Sequence, residues 1–175
     1  ASTTLETFLN QPGNDCNGNG GPIKLQSIPV PFVNNSLRHP DFSLDVNVTA
    51  QAPGGIYTND GCDCVADGGY QVYYTQVPRP GGSAPTDRTA SLWTLAQGVG
   101  GPQGVTPFGQ PVDLHFDCPA DTDIWLAARP VFDNQGASIW PSAVVSANST
   151  RIECGPTLAE PEDVRPIRRE RETVG

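Results

Sequence analysis

The chain has 175 residues, with 10 Lys and Arg against 19 Asp and Glu, a formal charge of −9. That length suits one domain with an ordinary buried core, and that charge argues against nucleic acid as a partner. The 19 Gly and 18 Pro interrupt the chain every few residues, which leaves little room for long helices, and no apolar run approaches the roughly 18 residues that would span a bilayer.

Residues 1–22 read as an N-terminal extension. Leu5, Phe8 and Leu9 are its apolar residues and would contact neighbouring copies of the chain or fold back onto their own domain. Asp15-Cys16-Asn17-Gly18-Asn19-Gly20 then matches the first half of a calcium loop, in which Asp15, Asn17 and Asn19 would offer alternating oxygens around a glycine bend. The second half does not follow, because Gln26 at the twelfth position cannot supply a bidentate carboxylate. Calcium therefore stands beside a plain solvated turn, for which Asp, Asn and Gly are equally suited.

Residues 23–156 read as a β domain. Ile23–Val30 is a proline-edged extended run. Phe42–Ala50 alternates, with Phe42, Leu44, Val46 and Val48 on one face and Ser43, Asp45, Asn47 and Thr49 on the other. Tyr70–Val77 follows, with Tyr73 on the face opposite Tyr70 and Tyr74. Ala90–Ala96 and Val112–Asp117 are the next two predicted strands, and the intervening stretches 78–82 and 98–109 read as loops outside the core. Ile124–Val131 and Ala137–Ser146, joined by Asp133-Asn134-Gln135-Gly136, predict a hairpin. Two further oxygen-rich loops could take a hard cation, one at Asn59, Asp60, Asp63 and Asp67, the other at Asp117, Asp121 and Asp123. The tail, 157–175, carries mixed charge and includes Ile167, Arg168, Arg169 and Arg171, which would serve as contacts to acidic loops of another copy.

The hairpin, the run GYQVYYT at Gly69–Thr75 and the run FSLDVNVTA at Phe42–Ala50 resemble strands of a fibronectin type III domain over about residues 23–150. The tryptophan usual on that family's second strand is absent, and Val46 or Val48 stands in its place. The resemblance implies an all-β fold: a seven-stranded immunoglobulin-like or fibronectin-like sandwich with N- and C-terminal extensions.

The expected compartment is extracellular. The chain contains no Met, and Ala1 fits the residue left after signal cleavage. Asn34-Asn35-Ser36, Asn47-Val48-Thr49 and Asn148-Ser149-Thr150 each satisfy the N-glycosylation pattern. Cys16, Cys62, Cys64, Cys118 and Cys154 are spread along the chain as disulfide staples would be, giving two bridges and one thiol over. The paired CxxC spacing of a zinc site is missing.

No catalytic constellation stands out. His39 and His115 lack a nucleophile in a recognisable setting, and none of the many carboxylate spacings singles out a glycosidase pair. Trp93, Trp125 and Trp140 lie on predicted strands, where core packing is the ordinary role and a sugar-stacking platform the functional one. The expected function is a non-enzymatic structural subunit of an extracellular assembly, such as a surface filament or pilus-like fibre, joined to other copies of itself through the terminal extensions. A monomeric glycan- or receptor-binding module, with or without calcium, is the alternative from another class, and a virion surface protein the third.

Overall fold

A computed structural model describes residues 28–53, 68–79, 82–133 and 139–155, with backbone only at 132–133 and 139–140. The predicted run Ile23–Val30, first of the seven above, reaches these residues only at 28–30, which are not strand.

Two antiparallel sheets share one core. The first has the order β1 (Phe32–Arg38), β2 (Ser43–Thr49), β8 (Pro111–Asp117), β5 (Gln97–Gly98), β6 (Gly101–Pro102). The second has the order β10 (Ile139–Pro141), β9 (Thr122–Asp133), β3 (Gly68–Pro78), β4 (Thr94–Leu95), with β11 (Thr150–Cys154) also on β9 and β7 (Thr106–Pro107) also on β3. Alternation decides what each strand buries. Leu44, Val46, Val48, Leu114 and Phe116 come from the first sheet; Tyr70, Val72, Ile124, Leu126 and Ala128 face them from the second. Full burial of each such aliphatic side chain is worth about 1.5–3 kcal/mol. Val46 and Val48, at 1% and 0% exposure, are in the core as the sequence pattern requires.

Strand β9 is buried on both faces, which accounts for the nearly continuous apolar run from Ile124 to Val131. Its second face, with Tyr73 of β3, is covered by Ala90, Trp93 and Val145, and Trp125 packs against the same cluster. Trp93 and Trp125 thus take the packing role; the side chain of Trp140 lies outside the described residues. Trp93 Nε1 donates to the Asp87 carbonyl at 2.9 Å, and the Arg88 guanidinium lies 5.3 Å from the Trp93 ring centroid.

Several predicted elements are corrected. Ala90–Ala96 is not one strand: Ala90–Leu92 forms a 3₁₀ turn, and only Thr94–Leu95 pairs with β3. The second hairpin strand is three residues long beside β9, because Pro141 brings no N–H to continue the ladder. Beyond it Ser142 and Ser146 donate their backbone N–H groups to Pro130 and Ala128, while the Val145 N–H turns to the Arg88 carbonyl. Pairing with β9 resumes at β11, a strand the sequence reading missed. Nor is 98–109 excluded from the core: Gln103 is buried, and Phe108 packs against the main cluster, 6.2 Å from the Tyr70 ring. Gly69 is needed here, since a Cβ would collide with the Thr106 carbonyl of β7. Phe42 does not join the inward row either. It is 40% exposed at φ 66°, where its carbonyl accepts the Cys118 N–H.

Cys118 and Cys154 form a disulfide between the end of β8 and the end of β11, and so bind one sheet to the other. The cation next to it is equally structural. Arg79 donates to Asp123 Oδ1 at 3.0 Å and to the carbonyls of Thr122 and Cys154. Among the described residues no helix is long and apolar enough to cross a membrane.

Candidate functional site

The outer face of the first sheet gathers the polar residues that the sequence pattern turned away from the core. Asp45 on β2 stands opposite His115 on β8 and Leu37 on β1. Its two oxygens are divided between the two histidines: Oδ1 lies 2.6 Å from His115 Nδ1, Oδ2 2.8 Å from His39 Nε2. Hydrogen bonds first from His115 and then from His39 hold the Asp45 carboxyl below its ordinary range. His39 precedes β2 and His115 is on β8, so one carboxylate ties the β1–β2 turn to the middle of the sheet. A His–Asp contact can orient an imidazole for proton transfer. Here it is part of an open sheet face.

Further along the same face, Asn34 Nδ2 donates to Asn47 Oδ1 and Thr49 Oγ1, each at 2.8 Å, and Asn47 Nδ2 donates to Asp113 Oδ1 at 2.7 Å. Two of the glycosylation candidates are therefore hydrogen-bonded neighbours, and the hydroxyl of one pattern, Thr49, accepts from the asparagine of the other. Asn148 is exposed, in the segment between β10 and β11.

Asn34 has a second consequence. It is a bulge between Val33, which pairs with Val48, and Asn35, which pairs with Asn47. Among the described residues no strand lies beyond it: β1 is the edge of its sheet. Phe32 and Leu37 on this edge are 68% and 62% exposed.

Other charged groups are spent on the fold. Asp123 is 3% exposed and held between Arg79 and Arg151, whose Nε lies 3.2 Å from Oδ2. Burial of the Tyr70 phenol pushes its pKa up, and its hydroxyl donates to the Gln110 carbonyl. Asp117, Asp121 and Asp123 do not form a cation site: among the described residues no group of three or more His, Cys, Asp or Glu could hold a metal ion. Asp15, Asn17 and Asn19, the loop at 59–67, and Cys16, Cys62 and Cys64 lie outside the described residues. So do Leu5, Phe8, Leu9, Ile167, Arg168, Arg169 and Arg171. Of the five cysteines, Cys118 and Cys154 are the pair that the structure assigns.

Two recesses are lined by described residues. One of about 190 Å³ opens beside the histidine cluster, between Tyr74 and Gln76 of β3 and Gln97, His115 and Asp117 of the first sheet. The other, a shallow depression at the end of the molecule, is lined by Asp41, Phe42, Asp117, Pro119 and Ala120.

Sequence reasoning missed both the Asp45 cluster and the β1 edge. The outward positions of Asp45 and His115 were legible, but their pairing across two strands was not. Phe32, Val33 and Leu37 between Pro31 and Pro40 were the available signal for β1. The bulge at Asn34 breaks the alternation by which a strand is recognised.

No family model, curated protein or solved structure matches this chain.

Proposed function

We propose that this chain is a non-enzymatic structural subunit of an extracellular assembly, built on an immunoglobulin-like sandwich and joined to other copies of itself. The strand order supports the fold reading. With β1, β2, β8 and β5 as strands A, B, E and D, and β11, β9, β3 and β4 as G, F, C and C′, the two sheets follow the immunoglobulin-like Greek-key order. The Cys118–Cys154 disulfide suits an oxidising compartment.

The observation that carries the functional reading is the β1 edge, unpaired among the described residues, with Phe32 and Leu37 turned to solvent. Uncovered edges of this kind invite pairing with another chain, and natural monomers usually blunt them with charge, proline, bulges or a covering segment; β1 has a bulge at Asn34 but no charged residue from Phe32 to Leu37. By contrast, both histidines and the buried Asp123 are engaged in bonds between elements of the fold. Negative-stain electron microscopy of natively purified protein tests the reading: regular fibres or particles support it, and uniform small particles of monomer size refute it. In the latter case glycan and calcium binding become the assays of choice.

A further inference from the structure

Strand β1 is the longest free edge among the described residues. The rival edges are short or broken: β6, β4 and β7 have two residues each, and the outer side of β9 is divided between β10 and β11. What distinguishes β1 is its face pattern. Opposite the outward residues Thr49, Asn47 and Asp45 of β2 stand Phe32, Asn35 and Leu37; opposite the buried Val48 and Val46 stand Val33 and Ser36. Asn34, in the bulge, also reaches outward, to Asn47 and Thr49. From Phe32 to Leu37 the strand therefore reads out, in, out, out, in, out. Without the bulge, two residues five apart would point to opposite faces. With it, Phe32 and Leu37 share a face, and the pattern is the same in both directions.

We propose that β1 pairs antiparallel with β1 of a second copy of this chain, in the register that sets Phe32 of each copy opposite Leu37 of the other. Residues directly opposite in an antiparallel pair share a face. This register matches every position: Phe32 with Leu37, Val33 with Ser36, Asn34 with Asn35. The two exposed apolar side chains cover each other twice, around the two-fold axis that an isologous interface requires. Charge permits the contact. The chain carries −9 overall, yet residues 28–38 contain no carboxylate, and the one cation there, Arg38, is bonded to the Glu153 carbonyl. Pairing joins the first sheets of both copies into one continuous sheet. The inference rests on the proposed function in that the partner is another copy of the chain.

The test uses the full chain. Sedimentation velocity is run on the wild type, Leu37→Glu and Phe32→Ser, and a photo-crosslinking residue is placed at position 37 in an equimolar mixture of ¹⁴N- and ¹⁵N-labelled chains. The expected result is a dimer whose dissociation constant rises about tenfold or more in either variant, an unchanged melting temperature at concentrations where all three chains are monomeric, and mixed-isotope crosslinks from position 37 to residues around Phe32. Association that persists in both variants, with crosslinks elsewhere, overturns the β1 contact while leaving the subunit reading in place. Same-isotope crosslinks from position 37 to residues 1–27 overturn it in favour of a chain that covers its own edge. A monomer under all conditions overturns both.

Discussion

Gln103 completes a strand pairing that the backbone leaves open. Its Oε1 accepts the Val72 N–H at 2.8 Å, and its Nε2 donates to the carbonyls of Val72 and Ala96 at 3.1 and 2.9 Å. One side-chain amide thus does for the centre of β3 what a neighbouring strand would do, inside the core, where unpaired backbone groups are costly.

Gln103→Leu should therefore destabilise the domain by about 2–4 kcal/mol, since it strands the Val72 N–H and adds no hydrogen bond in return. Urea unfolding measures this. A loss below about 0.5 kcal/mol would mean that water or a backbone shift replaces the amide.

Asp123 and Glu153 make a matched comparison on a shared partner. Both pair with Arg151, but Asp123 is buried and also holds Arg79, whereas the Glu153 side chain is 60% exposed. Asp123→Ala should cost about 3 kcal/mol or more, because Arg79 is left with only carbonyl partners and Arg151 with only the exposed Glu153. Glu153→Ala should cost less than about 1 kcal/mol. Chemical denaturation of the two variants under one buffer condition checks the ordering.

Asp45 sets a pH dependence of definite sign. Its folded-state pKa lies below the ordinary 3.8, so the unfolded chain takes up the proton first as pH falls. The stability it contributes is fully present above about pH 5 and is lost as pH drops through the depressed folded value. Thermal melts of wild type and Asp45→Asn should differ at pH 5 and converge as pH falls below the ordinary carboxylate range. A difference that stays constant over that range would show that Asp45 does not titrate in its cluster.

The disulfide closes a span of 36 residues between Cys118 and Cys154, and its removal in Cys118→Ser/Cys154→Ser should cost about 2–4 kcal/mol. Because β11 is an edge strand anchored at Cys154, hydrogen exchange should accelerate most at Thr150–Cys154 and least in β3 and β9.

Much of this fold was legible where one physical signal dominated. Leu44, Val46 and Val48 alternate with polar residues and are buried as alternation requires; Ile124–Val131 has no such alternation, and β9 is covered on both faces. The failures have local causes. Pro141 cut the hairpin short, and the 3₁₀ turn at Ala90–Leu92 replaced a strand whose composition was apolar because Ala90 and Trp93 cover the outside of the second sheet. The polar cluster around Asp45 was invisible for a different reason: β2 and β8 are adjacent in space but separated in sequence by β3 to β7, and only the sheet order brings His115 to Asp45. At β1, the Asn34 bulge hid the strand and at the same time set Phe32 and Leu37 on one face.

Self-association is the central claim, and sedimentation velocity of the intact chain over a wide concentration range tests it most directly. A concentration-dependent mass of at least twice the monomer, reduced by Leu37→Glu, is the predicted result. A single monomeric species up to the highest attainable concentration would contradict it.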